Sequence, residues 1–176
     1  MRKSKGNISY VTEYPSQPEQ VLNIVNQRIL DYTTASQFIT IFYGILNLKS
    51  GELAYCNAGH CPPLLVRKIN GRPLQELKRT GIPLGIYKKE IWKQRTEVLG
   101  PDDFLVMYTD GITDAENHHR VPFGEKNLWG SISKLNGKES REILAGILVD
   151  VDTFTGETPQ YDDITLWVVK RSHEKK

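Results

Sequence analysis

The sequence predicts an α+β fold in which helices pack on a core rich in antiparallel strands. Two observations support this prediction. The patterns follow the order of an amphipathic helix, a long run of short strands, two more helices and a last strand. The strands are also separated by turn signals, among them Asn47–Gly51 and the Asn70-Gly71 pair, which are typical of hairpins. This order is typical of layered folds in which helices cover a sheet.

Length and composition indicate one ordinary globular domain. The chain has 176 residues, with 39% hydrophobic and 25% charged residues, which is enough for a core of its own. The net charge of +2 gives no reason to expect a nucleic-acid partner. No apolar run approaches the roughly 18 residues of a membrane span, and residues 1–7 lack the apolar segment of a signal peptide. With only two cysteines, the sequence favours a cytoplasmic protein.

The first half of the chain is predicted to be one helix followed by strands. Residues 1–17 are interpreted as an extended arm or the remnant of an earlier element. A capping-box pattern at Ser16–Glu19 then opens a helix that is predicted to run to about Thr33, and its apolar residues recur on one face. The run at 38–46 is apolar on both faces, so we expect a strand covered on both sides. Further strands are predicted at 52–56, 64–69, 74–77, 91–98 and 104–109, with an ordered loop at 80–87.

The second half changes from strand patterns to helix patterns after Asp114. Apolar residues at helical spacing predict helices at 125–135 and 140–154. A last strand is predicted at 164–169. The polar tail, 171–176, is expected to fray.

Two carboxylate sites stand at the ends of predicted strands. Asp110 follows the apolar strand 104–109 on an Asp-Gly turn, and Asp162-Asp163 precede the last strand. If these strands are antiparallel neighbours, both sites lie at one edge of the sheet. Carboxylate oxygens suit Mg²⁺ or Mn²⁺. An ordinary Asp-Gly turn and a solvated Asp pair would give the same spacing, which leaves both interpretations open.

Three soft side chains, Cys56, His60 and Cys61, lie close together in the sequence. Their spacing matches no zinc pattern, so we interpret the cysteines as packing residues. His60 is interpreted as a loop histidine whose ring is satisfied by backbone groups.

Five motifs resemble one known family when they are taken together and in order. The motifs are Phe38–Gly44, Gly51–Leu64, Gly81–Gly85, Tyr108–Ala115 and Asp162–Leu166. Each motif alone is weak, whereas five in order are specific. By these motifs the chain is similar to the bacterial branch of the metal-dependent PPM-type protein serine/threonine phosphatases, which includes stage II sporulation protein E and the sigma-factor-regulating phosphatases. The resemblance covers about residues 18–170.

The resemblance implies a sandwich of two antiparallel sheets flanked by helices, with two Mn²⁺ or Mg²⁺ ions. It implies that a hydroxide bridging the metals hydrolyses a phosphoserine or phosphothreonine ester. Asp110 and Asp162 match the catalytic metal ligands, and Asp163 matches a neighbouring position of the metal site. The implied substrate is a phosphorylated regulatory protein such as an anti-sigma-factor antagonist.

The sequence departs from the family in one segment. The family has an early Gly-Asp-x-x-Gly-His-Gly motif whose aspartate bridges the metals, and residues 1–176 contain no such motif. We therefore expect a phosphatase domain without its first strand or strands and helix, with weak or no activity alone. A non-catalytic phosphatase-like binding module is the alternative. The missing strands would expose a sheet edge, so a homodimer is also expected.

Overall fold

Two antiparallel sheets stack face to face, with helices on both outer faces, which confirms the predicted fold class. The computed structural model describes residues 17–32, 37–68 and 74–172. Its elements, in chain order, are α1 (Pro18–Tyr32), β1 (Ile41–Leu46), β2 (Glu52–Ala58), β3 (Leu64–Val66), β4 (Gln75–Glu76), β5 (Arg95–Val98), β6 (Phe104–Tyr108), α2 (Asp110–Thr113), α3 (Gly124–Lys134), α4 (Ser140–Thr155) and β7 (Leu166–Lys170).

The first sheet has the strand order β1-β2-β5 and the second has the order β4-β3-β6-β7, with antiparallel pairing throughout. Alternation along β2 shows how the layers form, because successive side chains of a strand point to opposite faces. Leu53 and Tyr55 point into the space between the sheets. Cys56 and Ala58 point the other way, under α1. The outer face of the second sheet is covered by α3 and α4.

Most predicted elements are present, and several strands have different bounds. The strand predicted at 38–46 begins only at Ile41, because Ile39 makes an isolated bridge to Leu84 in the ordered loop. The strand predicted at 91–98 is shortened to β5. Trp92 is fully buried there, and its indole N–H donates to the Ile82 carbonyl at 2.9 Å, which keeps the preceding residues out of the sheet. The predicted strands 64–69 and 164–169 are observed as β3 and β7.

Several predictions fall on residues that are not described. These are the arm before Gln17, the start of the capping box, the Asn70-Gly71 turn and the end of the tail. The last helix, α4, does have a capping box, in which Glu139 and Glu142 exchange side-chain and backbone hydrogen bonds. None of the described helices is both long and apolar enough to cross a membrane.

One side of the sandwich is closed by polar side chains. Arg67, which follows β3, forms an ion pair with Glu97 of β5 at 2.9 Å and donates to the Val98 carbonyl at 2.6 Å. It also contacts Asp103, whose carboxylate accepts the Lys68 N–H at 2.9 Å. These contacts tie the two sheets together at that side.

The opposite side of the sandwich is open and apolar. Among the described residues, β1 and β7 each pair with a strand on one side only. Between them lies a cleft of about 290 Å³ whose lining includes Phe42, Met107 and Val169. Trp167 is 63% exposed and lies two residues before Val169 on the same strand. Within the described residues, this side therefore has strand edges without a second partner next to an apolar cleft.

Candidate metal and active site

The ends of β6 and β7 meet at one edge of the second sheet. The two strands are antiparallel neighbours over their full length, which is the condition under which both acidic sites lie at one edge. Beyond the last strand pair, the Thr109 N–H donates to the Thr165 carbonyl at 3.1 Å. Asp110 directly follows β6, and Asp162 and Asp163 lie just before β7. The main chains that carry all three carboxylates therefore meet at this edge.

The Thr109 hydroxyl fastens these two segments together. It donates to the Asp163 carbonyl at 2.9 Å and accepts the Thr165 N–H at 2.9 Å. Thr109 stands at the N-cap of α2, where a threonine usually caps the helix, yet its side chain makes no cap hydrogen bond. The hydroxyl bonds instead to Asp163 and Thr165, far along the chain, and these bonds fix the backbone beside Asp110.

Gly111 allows the closest approach between the two segments. A Cβ atom at this position would lie 2.5 Å from the Asp163 carbonyl oxygen and 3.4 Å from that of Asp162. The sequence predicted a glycine turn after Asp110, and that prediction is wrong, because residues 110–113 form the short helix α2. The position requires glycine because any side chain would collide with the Asp163 carbonyl. Backbone conformation is not the reason, since the φ angle of Gly111 is not positive.

The three predicted carboxylates are exposed to solvent at this edge. The Asp162 carboxylate accepts the N–H of Asp163 at 2.7 Å, and the Asp162 carbonyl accepts from the Gln160 amide at 2.7 Å. Across the described ranges, no three or more His, Cys, Asp or Glu side chains form a group able to hold a metal ion. The structure thus brings the backbones together without assembling a full set of metal ligands.

The loop 57–63 lies beside this edge and is held by its neighbours in the chain. Asn57 is fully buried; its amide donates to the Leu77 carbonyl at 3.2 Å, and its side-chain oxygen accepts the His60 N–H at 2.9 Å. The Asn57 N–H donates to the Thr80 hydroxyl at 3.0 Å. The loop is therefore fixed by hydrogen bonds rather than only by its glycine and prolines.

His60 faces the same region as Asp110. Burial lowers the pKa of its imidazole, and the Asp110 carboxylate acts in the opposite direction. The sequence interpretation gave the ring backbone partners, whereas its described contact is the Thr40 hydroxyl, 3.5 Å from Nδ1. The imidazole thus stands within electrostatic reach of a predicted metal ligand.

Cys61 lies between charges of opposite sign. Burial raises the pKa of its thiol, Asp110 and Asp114 raise it further, and the Arg79 guanidinium lowers it. Cys56 is fully buried, and burial raises the pKa of its thiol to about 11. Both side chains are therefore protonated thiols at neutral pH, a form that ligates metals poorly.

A cleft of about 340 Å³ opens next to Asp162. It lies between the α2 segment, the end of α4 and the loop 158–164. Sequence reasoning gave no role to three further carboxylates of its lining, although one of them falls inside a recognised motif, Tyr108–Ala115. The four carboxylates that line the cleft are Asp114, Glu116, Asp152 and Asp162.

Residues 1–172 match the family described as Stage II sporulation protein E (SpoIIE). Two curated relatives are each 30% identical: protein IcfG of Synechocystis sp. over 138 residues and phosphoserine phosphatase RsbU of Bacillus subtilis over 157 residues. The matches cover 78% and 88% of this chain. They cover 21% of IcfG and 45% of RsbU, so the chain spans less than half of either relative.

Solved structures show the same fold. The SiaA-PP2C domain of Pseudomonas aeruginosa superposes with a TM-score of 0.76 at 19% identity, covering 88% of this chain and 61% of that domain. The manganese-presoaked phosphatase domain of SpoIIE from Bacillus subtilis gives a TM-score of 0.66 at 20% identity, covering 93% of this chain and 70% of that one. At these identities the similarity establishes the architecture.

Proposed function

The chain belongs to the Stage II sporulation protein E family, and on that premise we propose that it is a metal-dependent protein serine/threonine phosphatase domain. The observation that supports the proposal most is the joining of the Asp110 and Asp162-Asp163 segments. Thr109, at the end of β6, bonds to Asp163 and Thr165 of the other segment, and Gly111 makes room for the close approach. A sheet edge that presents several carboxylates to solvent suits an acid-lined hydrolytic site.

The donor atoms of this edge match Mn²⁺ or Mg²⁺, because both ions prefer oxygen ligands and keep several waters. We assign Asp110 and Asp162 as direct ligands, and Asp163 as a residue of the metal site whose carbonyl is held by Thr109. Bound divalent ions would neutralise phosphate charge and lower the pKa of coordinated water. The protein's own part is to hold the carboxylates in place and to seat the phosphorylated segment in the adjoining cleft.

These residues fit one part of a two-metal site. Two or three carboxylates cannot fix two ions, and the described residues contain no larger group of ligands. The Gly-Asp-x-x-Gly-His-Gly motif that the resemblance requires is not present in residues 1–176. We therefore assign residues 18–170 to the C-terminal part of a phosphatase domain and expect little activity from this chain by itself.

The proposed substrate and location are suggested by the relatives. RsbU is named a phosphoserine phosphatase, and we propose a phosphorylated regulatory protein, such as an anti-sigma-factor antagonist, as the substrate. We also propose a cytoplasmic location, which suits signalling of this kind. The open side of the sandwich, between β1 and β7, is proposed to pair with a second copy of the chain. Within the described part of the chain, the strand at the end of each sheet on this side is paired on one side only.

A non-catalytic binding module is the second candidate function. The observation in its favour is that the described residues hold no group of three or more possible metal ligands. Such a module would bind a phosphoprotein in the cleft without turnover. It would have no chemical need for Asp110 and Asp162, which weighs against it.

Metal-dependent hydrolysis distinguishes the two functions. Manganese binding is measured by calorimetry on this chain, and p-nitrophenyl phosphate hydrolysis on this chain and on a version extended at its N-terminus by a segment with the missing motif. We expect manganese-dependent activity only in the extended version, and a loss of at least 100-fold in Asp110→Asn and Asp162→Asn. Asp31→Asn, an exposed change on α1, is the control.

Three outcomes decide the assignment. An extended version without manganese-dependent activity supports the binding module. Activity that survives Asp110→Asn contradicts the site. Activity that falls equally in Asp31→Asn shows that the loss is not specific to the proposed ligands.

A further inference from the structure

The proposed site is rich in negative charge. Asp110, Asp162 and Asp163 stand at its edge, and Asp114 and Glu116 line the adjoining cleft. A phosphomonoester carries up to two negative charges, and two unit charges 4 Å apart repel by about 4 kcal/mol at an effective dielectric constant near 20. A cation beside the site would offset part of this repulsion and add to the effect of the metal ions.

Arg79 stands in a segment that is fixed alongside the loop 57–63. On one side of it the Leu77 N–H donates to the Pro63 carbonyl at 2.8 Å, and on the other the Thr80 N–H donates to the Asn57 carbonyl at 2.8 Å. A bridge between Ala58 and Gly81 continues the contact. The backbone of Arg79 is thus held on both sides.

The segment that carries Arg79 runs beside residues 57–63, which lead into β3, the neighbour of β6 in the second sheet. The Arg79 charge also acts on Cys61, a residue on which Asp110 and Asp114 act as well. Cys61 is half-buried and packs against the cluster beneath α2. The loop 57–63 therefore separates the Arg79 segment from the strand that leads to Asp110, and charges from both act on Cys61.

Arg79 makes none of the structural contacts that Arg67 and Arg171 make. Arg67 bonds to Glu97 and to the Val98 carbonyl, and Arg171 donates to three carbonyls, those of Lys49, Ser50 and Leu99. The Arg79 side chain is exposed, and among the described residues it has no ion pair and donates no side-chain hydrogen bond. Its five N–H donors are available to a ligand.

We propose that Arg79 binds the phosphoryl group of the substrate at the rim of the Asp110 site. The inference rests on the proposed phosphatase function. A planar guanidinium matches two oxygens of a phosphate with two parallel hydrogen bonds, which a lysine cannot reproduce. Arg79 is thus a substrate-binding residue and takes no part in bond breaking.

Binding is measured separately from catalysis, on the 176-residue chain in EDTA at low salt. The probe is a fluorescent phosphoserine peptide, compared with the same peptide carrying serine. We expect the chain to prefer the phosphorylated peptide and inorganic phosphate to compete with it. Arg79→Ala should reduce affinity for the phosphopeptide about 10-fold or more and leave the serine peptide unchanged.

Two further variants exclude a general charge effect and a structural effect. Lys78→Ala removes one positive charge from the same exposed segment and should change affinity less than about 2-fold. Arg79→Lys should recover part of the affinity, because lysine keeps the positive charge but lacks the paired N–H donors of the guanidinium. Arg79→Ala should also leave the unfolding midpoint unchanged, since the side chain has no described partner.

Three results would overturn the inference. The first is a wild-type chain that binds both peptides equally. The second is an Arg79→Ala chain that keeps the preference for the phosphopeptide, and the third is an equal loss in Lys78→Ala. Failure of the phosphatase function would show instead as an extended version without manganese-dependent hydrolysis, whatever the peptide result. In an active extended version, Arg79→Ala should raise KM with kcat nearly unchanged.

Discussion

The Thr109 hydroxyl donates a hydrogen bond of 2.9 Å to the carbonyl oxygen of Asp163, a residue 54 positions later in the chain. The same oxygen atom of Thr109 accepts the N–H of Thr165 at 2.9 Å. One side chain at the end of β6 therefore fixes the segment that leads into β7. The position of the acidic pair relative to Asp110 depends on this contact.

Replacing Thr109 by valine should separate the two segments. The side chain keeps its shape but loses the hydroxyl, which leaves the Asp163 carbonyl and the Thr165 N–H without this partner. We expect a loss of about 1–3 kcal/mol in the free energy of unfolding, measured in urea, together with weaker manganese binding. Thr109→Ser keeps the hydroxyl and should retain most of both.

A matched control is Thr153→Val on α4. Its hydroxyl donates to the Val149 carbonyl of the same helix at 2.7 Å and is exposed. We expect less than about 0.5 kcal/mol of destabilisation from this change. Equal losses at the two threonines would contradict the role given to Thr109.

Gly111→Ala tests the close approach of the backbones. The new Cβ would lie 2.5 Å from the Asp163 carbonyl oxygen, so the acidic pair must move. We expect a loss of about 1–3 kcal/mol in the free energy of unfolding, since rigid backbone has to shift. Manganese affinity, measured by calorimetry, should fall with it.

Gly130→Ala is the corresponding change where there is room. Gly130 lies inside α3, and a Cβ there would have no atom within 4 Å. Alanine is the better helix former, so the free energy of unfolding should rise by about 0.5–1 kcal/mol. The contact argument fails if the two substitutions change stability in the same direction.

Cys56 predicts a specific pH dependence of stability. Burial raises the pKa of its thiol from 9.0 to about 11, so the folded state holds the proton more tightly than the unfolded state. The stabilisation is complete below pH 9 and is lost as the pH rises toward 11. From pH 8 to pH 10 the loss should be about 1 kcal/mol.

The measurement compares urea unfolding of wild type and Cys56→Ala at several pH values. The variant removes the titrating group, so the stability difference between the two proteins should shrink between pH 8 and pH 10. Tyr55 and Tyr108, whose pKa values are raised by burial, remain in both proteins, and Cys56 makes only the smallest contribution to the pKa of Tyr55. Their titration therefore largely cancels in the comparison. A constant difference across this range would refute the assignment to Cys56.

Self-association through the open side of the sandwich is expected to be concentration-dependent. Trp167 lies beside the apolar cleft, with 63% of its surface exposed. Trp167→Lys should shift the chain to monomer in sedimentation velocity, because a charge would enter an apolar interface. Trp129→Lys, on the exposed face of α3, should leave the distribution unchanged. A wild-type chain that is monomeric at all concentrations would contradict this proposal.

Local patterns were sufficient for most of the elements. The helices α1, α3 and α4 follow from apolar residues at helical spacing, and β6 follows from five successive apolar residues ended by Thr109-Asp110-Gly111. The placement of both acidic sites at strand ends was also readable, and so was their common edge once the two strands were assumed to be neighbours. These features depend on residues close together in the chain.

The bounds of the strands were less predictable because they depend on distant partners. Residues 91–94 have a strand-like pattern, but Trp92 is held by the Ile82 carbonyl and stays outside β5. Ile39 has the pattern of β1, but it bonds to Leu84. In each case a hydrogen-bonding partner elsewhere in the chain decides whether the residue joins the sheet.

The sequence by itself determined the layered α+β class, the family and the three acidic residues of the proposed site. Tertiary structure alone decided that Gly111 belongs to a helix packed against the Asp163 carbonyl. It also decided that the Thr109 hydroxyl bonds to Asp163 instead of capping α2. The proximity of Arg79 to Cys61 is a third such feature. The physical reason is the separation along the chain over which each kind of interaction acts. Periodicity and turn chemistry act within a few residues, whereas these contacts join backbones and charges from 18 to 54 positions apart, and only the packed sheets bring them together.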